Sequence, residues 1–202
     1  MTDFIRFFIP IYFILFFLVS FLGISIAVAK RIGKNPNVFP KDDSAYALVG
    51  WYFKLILAVL LIYAILPLVL PDIREVFRII PLNFDVFQYV GITLMLVAFI
   101  WVVIAQLQMR NSWRIGIDEH VKTELITTGL FQFSRNPIFL GMTVSLVGFF
   151  FVFPTIIAFF LLIIASILMQ IQIRLEEEHL LRQHSSIYLA YKKRVGRMLS
   201  LY

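Results

Sequence analysis

From Ile138 to Ile173 the chain carries no charged side chain, and Pro154 stands near the middle of that run. One helix of these 36 residues would reach about 54 Å at 1.5 Å per residue, well past the roughly 30 Å of a bilayer's hydrocarbon core. Pro154 also lacks the N–H that a helix interior needs. The run is therefore read as a tight hairpin of two short spans, 138–153 and 155–173. A hairpin returns the chain to the side it left, so the polar segments before and after it must emerge together.

Three earlier segments meet the length rule for a spanning helix. They are 4–29, broken only by Arg6 and Pro10 near its start, 45–70 and 86–107. The first lacks a basic leader and is too long for a cleaved signal sequence, so it is read as retained. In the second, Trp51 and Tyr52 suit an interface, Lys54 can snorkel toward it, and Pro67 should kink the far end. The fold class expected is thus all-α: a polytopic membrane protein of about five transmembrane helices, one domain over residues 1–202, with a Pro-broken hairpin and a cytoplasmic tail helix. Composition agrees, since 61% of residues are hydrophobic, 15% are charged and the mean hydropathy is +0.91. A soluble domain of 202 residues could not cover its surface with so little charge.

The net charge of +6 is assigned to topology rather than to nucleic acid. Lys30, Arg31, Lys34 and Lys41 follow the first span, while Arg110, Arg114, Lys122 and Arg135 follow the third. Arg174, Arg182, Lys192, Lys193, Arg194 and Arg197 follow the fifth; the other side holds Arg6, Arg74 and Arg78. The positive-inside rule then puts segments 108–137 and 174–202 in the cytoplasm and the N-terminus outside. Between spans two and three, Ile73, Val76, Phe77 and Ile80 keep helical spacing, with Asp72 and Glu75 placed to cap. That segment reads as a short surface helix or as a simple connector.

The two polar segments hold the candidate chemistry. Ser134-Arg135-Asn136-Pro137 sits between Gly129 and the hairpin, so its backbone is shaped by turn residues. Asn136, lying before a proline, is pushed to extended geometry, and Pro137 can open a helix whose free N–H groups favour an anion. After the hairpin, Arg174 and Glu176-Glu177-Glu178 come to the same place. Cationic, amide and carboxylate groups then meet beside an apolar wall, as a zwitterionic or amphiphilic ligand requires. The same Arg and Glu side chains also suit interface anchors. The tail continues as a helix, with Glu176, Leu180, Ile187 and Tyr191 on one face and Leu181, Tyr188 and Val195 on another, and should pack on the segment before span four. Its basic end, "YKKRVGR", suits anionic head groups or plain solvation.

Other chemistries lack support. There is no Cys, so thiolate metal sites and Cys nucleophiles are excluded. Glu176 and His179 have an i, i+3 spacing used in di-iron bundles, but no second copy exists. No HExxH, GxSxG, P-loop or GxGxxG occurs, and no metal is expected.

The two segments together resemble the integral-membrane isoprenylcysteine carboxyl methyltransferase and phospholipid methyltransferase family. Its first pattern, L-V-T-x-G-x-Y-x-x-x-R-H-P-x-Y-x-G, is met by Leu125, Ile126, Thr127, Gly129, Phe131, Arg135, Asn136, Pro137, Phe139 and Gly141. Its second, E-E-x-x-L and then Y-x-x-Y-x-x-x-V-x-R, is met by Glu176, Glu177, Leu180, Tyr188, Tyr191, Val195 and Arg197. The resemblance covers about the last 100 residues. It implies S-adenosylmethionine as cofactor, S-adenosylhomocysteine as product, and a lipophilic acceptor from the bilayer. By position, Leu125, Ile126, Phe131, Asn136, Pro137, Phe139, Glu176 and Glu177 would bind the cofactor, Arg135 and Asn136 would act at the reacting centre, and Gln172 and Arg174 would meet the acceptor. Trp113 and Arg114 are further possible contacts.

The chain departs from the pattern at Asn136, where the family has His, and at Phe131 and Phe139, where it has Tyr. Arg-Asn-Pro is a variant met among bacterial members. Gln172 replaces an Arg of the prenylcysteine enzymes, which weakens the case for a carboxylate acceptor. Two other readings are carried: an NADPH-dependent membrane reductase of the sterol-reductase type, and a non-enzymatic membrane module.

Overall fold

A computed structural model describes residues 3–38, 42–79, 85–116 and 123–199. The described chain is almost wholly helical and contains no strand beyond isolated bridges. Helix α1 runs Asp3–Ile32, α2 Ala45–Val69 and α3 Asp85–Met109. Helix α4 runs Pro137–Val152, and α5 runs Ile156–Arg194. Helices α1, α2, α3 and α5 are long and apolar enough to cross a membrane, whereas α4 has 16 residues and rises about 24 Å. The protein is a multi-pass membrane protein. Its outward faces carry bare apolar side chains such as Phe4, Ile62, Tyr89 and Ile100, which water would not tolerate at this density and lipid does.

Helix ends follow local chemistry. Gly33 (φ 67°) closes α1 in the left-handed conformation, its N–H bonding Ala29 O at 2.9 Å. Ser44 caps α2 by accepting the Ala47 N–H at 3.2 Å, and Thr155 caps α5 by accepting that of Ala158 at 3.2 Å. Pro137 is the first residue of α4, where a missing N–H costs nothing. Pro67 sits two residues before α2 ends at Val69.

Two helices depart from regular geometry. In α1 a π-helical turn spans Leu18–Gly23, with the Ile24 N–H reaching back five residues to Val19 O. In α5 Ser185 holds φ 42° and ψ −113°, a backbone region natural only to glycine. This break resets the helical phase, so the tail stripe expected from the sequence does not hold at Ile187, which is 66% exposed. Tyr188, Tyr191 and Val195 turn inward and pack on Leu125, Leu180 and Leu181.

Helices α3 and α4 are the closest-packed pair. A Cβ on Gly91 would fall 2.6 Å from Gly148 O, and one on Gly148 would fall 2.7 Å from Gly91 O. Small residues let the two backbones meet, the usual device where lipid supplies no hydrophobic force between helices. Phe149, Phe153, Tyr63 and Phe13 fill the centre with edge-on ring contacts. Tyr12 is paired inside this core: its Oη bonds Met95 O and Ser145 Oγ, both at 2.8 Å.

Of the two readings of the segment after α2, a surface helix or a simple connector, the structure is nearer the connector. A single turn, Ile73–Val76, forms, and Asp72 makes no side-chain cap. Beyond it the chain pairs with the hairpin tip, Ile79 N–H to Pro154 O and Ile156 N–H to Phe77 O, both 2.9 Å. Backbone pairing there outweighs the helical pattern. Ile80 and the side chain of Glu75 lie outside the described residues.

One end of the bundle gathers the polar segments. The loop after α1 pairs with the segment after α3 (Val38 N–H to Ile115 O 2.9 Å, Ile115 N–H to Pro36 O 3.0 Å). Tyr46 at the start of α2 donates to Leu175 O at 2.9 Å. At the other end Arg6 donates to Leu68 O at 2.7 Å.

Candidate functional site

Construction of the site begins at Gly129 (φ 63°). The Gln108 side chain occupies the space beside it, 2.5 Å from where a Cβ would stand, and accepts the Leu130 N–H at 2.9 Å. Left-handed backbone favours glycine, and a side chain here would also have to displace the Gln108 amide. The following turn, Gly129–Gln132, buries Phe131, whose carbonyl accepts from Tyr191 Oη at 2.6 Å. The tail is thus fastened across the turn.

Ser134, Arg135 and Asn136 then form a buried lattice with the tail. Ser134 Oγ accepts the Asn136 N–H at 3.0 Å. The Arg135 N–H bonds Gly196 O at 3.0 Å, and Asn136 Nδ2 bonds Arg197 O at 3.0 Å. Glu177, itself buried, joins the group from α5. It takes Arg135 Nη2 at 3.0 Å and Asn136 Nδ2 at 3.3 Å on Oε1, and Arg197 Nη2 and Nε at 2.9 and 3.1 Å on Oε2. The bidentate bond to Glu177 also holds the Arg197 guanidinium firmly protonated, against the opposing effect of burial. The hairpin therefore brings the Arg-Asn-Pro turn and the Glu run together.

Neighbouring carboxylates have different surroundings. Glu177 is fully spent inside the protein, whereas among the described residues Glu176 is hydrogen-bonded by the Gln172 amide alone, Nε2 to Oε1 at 2.8 Å. Burial pushes the Glu176 carboxyl up to about 7, and the Gln172 hydrogen bond works in the opposite direction. No cation is bonded to Glu176 among the described residues. On the tail, burial also pushes the Tyr188 hydroxyl up to about 12, with the Glu177 charge adding to it.

Glu176 lines a cleft of about 980 Å³ at this end of the bundle. Phe131, Arg135, Asn136, Pro137, Phe139 and Gln172 share its wall, as do Trp113 and Arg114. Two of the Arg135 nitrogens, Nε and Nη1, are buried and have no partner among the described residues. The N-cap side chain of α4 does not cover that helix start, because Asn136 makes no cap bond. Four other residues singled out by sequence stand elsewhere. Leu125 packs on the tail tyrosines, and Ile126 is half-buried away from the wall. Glu177 is inside the lattice, and Arg174 is exposed, bonding Gln170 O and Oε1 at 2.7 and 3.2 Å.

Deeper in the bundle a second, apolar bay of about 590 Å³ adjoins the cleft. Phe16, Phe21, Phe53 and Met142 line both. These residues from α1, α2 and α4 carried no recognisable motif. Ser20 and Gln106, which also reach the cleft, had one available signal: they are polar positions inside apolar spans.

A family model, phospholipid methyltransferase, matches residues 86–186. The chain belongs to the phospholipid methyltransferase family. Its matched half takes in α3, the Gly129 turn, α4 and α5 through the Ser185 break. Membership makes it a membrane methyltransferase. The tail anchors Tyr191 and Arg197 lie just beyond the matched residues, yet they hold the Gly129 turn and the Arg-Asn-Pro segment in place. No curated protein matches the chain.

Proposed function

We propose that this phospholipid methyltransferase family member uses S-adenosylmethionine to methylate a lipophilic acceptor taken from the bilayer. The observation that carries the reading is the shared wall of Phe16, Phe21, Phe53 and Met142 between the polar cleft and the apolar bay. A charged cosubstrate and a hydrophobic acceptor would meet across it. Nothing in the cleft favours the reductase reading.

The residues present fit that cosubstrate. An amino acid end needs a carboxylate for its ammonium and donors for its carboxylate. Glu176 supplies the first, and the unpartnered nitrogens of Arg135 supply the second. Phe131, Phe139 and Trp113 are aromatic faces suited to a sulfonium. When bound, S-adenosylmethionine supplies an electrophilic methyl group on a cationic sulfur. The chain's own task is to orient, to exclude water and to hold two reactants in line. Glu177, Asn136 and Arg197 are positioning residues here, fixing Arg135 from behind.

The site-bearing end is assigned to the cytoplasm and the N-terminus to the opposite side. Support comes from the basic residues, which concentrate after α1, α3 and α5. The test is transfer of tritium from methyl-labelled S-adenosylmethionine into organic-extractable product, with the protein in nanodiscs made from a bacterial lipid extract. Label should enter the extract with wild type and fall to background with Glu176→Ala. Equal transfer by that variant would refute the assignment.

A further inference from the structure

The π-helical turn of α1 places a buried polar pair at the wall of the cleft, and the methyl-donor site does not use it. Ser20 sits within that turn, between Phe16 and Phe21, two of the four side chains shared by cleft and bay. Gln106 faces it from α3 and donates Nε2 to Ser20 O at 2.9 Å. A π turn shifts carbonyls out of α register, and the Gln106 amide fills the need of this one. That bond fixes the amide orientation and leaves Oε1 over.

Both side chains are nearly inaccessible, Ser20 at 0% and Gln106 at 3%. Even so, Ser20 Oγ and Gln106 Oε1 have no partner among the described residues. Buried polar atoms in native proteins are almost always satisfied, so two adjacent orphans lining a cleft point to a ligand or ordered water. Their chemistry is selective. Gln106 Oε1 only accepts, and Ser20 Oγ accepts or donates. Neither carries charge, and the wall around them is apolar: Phe16, Phe21, Val102 and Met142. The two cations of the cleft, Arg114 and Arg135, stand on the segments beyond the helix ends.

We propose that Ser20 and Gln106 form the headgroup site for the methyl acceptor, an apolar-tailed molecule whose reacting group bears an N–H or O–H and no negative charge. This rests on the methyl-transfer reading above. The apolar bay takes the tail, and the orphan oxygens hold the hydrogen of the reacting group so that its lone pair faces the methyl donor. In the step, that lone pair forms the new bond to the methyl carbon while the sulfur–methyl bond breaks and its electron pair stays on sulfur. The positive charge passes from sulfonium to the acceptor nitrogen or oxygen, which then loses its proton to water. A carboxylate could accept from the Ser20 hydroxyl but would set its lone pairs against Gln106 Oε1 and leave that oxygen unsatisfied.

The test uses three photoreactive probes in nanodiscs: diazirine-bearing dodecan-1-ol, dodecylamine and dodecanoate. Crosslinks are mapped by mass spectrometry, and S-adenosylhomocysteine binding is measured calorimetrically on the same samples. The alcohol or amine should label α1 and α3 around Ser20 and Gln106 about tenfold more than the carboxylate. Ser20→Ala and Gln106→Met, both close in volume to the native residue, should erase most of that preference with S-adenosylhomocysteine affinity unchanged. Equal or stronger labelling by dodecanoate, or a preference that survives both variants, would overturn the proposal. A wild type that shows the preference but binds no S-adenosylhomocysteine would instead refute the methyl-transfer reading and leave a lipid-binding site. If neither variant folds, tenfold selectivity of the wild-type protein still decides between the head groups.

Discussion

Arg197 and Glu177 are joined by two hydrogen bonds, 2.9 and 3.1 Å, donated by one guanidinium to one carboxylate oxygen. The link closes the tail over the Arg-Asn-Pro turn and neutralises half of a carboxylate that also holds Arg135. Glu176, one residue earlier, has no such partner and looks into the cleft. Adjacent helix positions point about 100° apart, which is how one Glu-Glu pair meets both the frame and the cleft.

That division predicts a split in mutant behaviour. Glu177→Ala strands the Arg135 charge, whose side chain is 6% exposed, and should cost about 3–5 kcal/mol of stability. Glu176→Gln should leave stability unchanged or slightly raised. Unfolding in a mild detergent, followed by tryptophan fluorescence, measures both, and similar losses in the two variants would contradict the division.

Glu176 also sets a pH dependence. Its carboxyl is raised to about 7, above the unfolded value, so the folded protein holds the proton more tightly. Folding stability is therefore greatest below the unfolded carboxylate range and falls as pH rises toward 7, above which the full penalty applies. Ligand binding runs the other way, because an ammonium needs the ionised carboxylate. Affinity for S-adenosylmethionine should rise from pH 6 to 7.5, by at most about tenfold per unit, and binding should release protons to buffer. Glu176→Gln should bind more weakly with a flat profile. Calorimetry in buffers of differing ionisation enthalpy reads both quantities.

The α3–α4 contact makes a third expectation. Gly148→Ala would put a methyl group within 2.7 Å of Gly91 O and 2.8 Å of Met95 Cγ. The backbone cannot yield as a side-chain tip can, so the helices must separate, at about 1–3 kcal/mol. Thermal unfolding should show the loss, and a variant as stable as wild type would mean that the helices are less close than described.

Tyr191→Phe removes the 2.6 Å bond to Phe131 O and should cost about 1 kcal/mol. Because that bond fastens the tail to the turn, the loss should be local. Limited proteolysis after Tyr188 should quicken while the helix core holds. A uniform loss of protection across all helices would contradict a local role.

How much of this was legible in the sequence varied with the range of the interaction. The hairpin followed from an uncharged run, one proline and the width of a bilayer, all local facts. Gly129 and Pro137 announced a shaped turn, and the juxtaposition of Arg135 with the Glu run followed from connectivity. Which glutamate would face the cleft did not follow, since helix phase is set by packing partners. Ile187 was misplaced because the Ser185 break resets that phase without a glycine to signal it. The connector after α2 kept a helical pattern but lost to backbone pairing with Pro154 and Ile156. Ser20 and Gln106 were invisible as a pair, because they meet only through a π turn and stand 86 positions apart in the chain.

Calorimetric titration of the detergent-purified protein with S-adenosylmethionine and S-adenosylhomocysteine, beside Glu176→Ala, tests the central assignment most directly. Saturable binding by wild type, weakened by about tenfold or more in the variant, is the predicted result. No binding by a protein that remains folded, or binding indifferent to Glu176, would contradict the cofactor site.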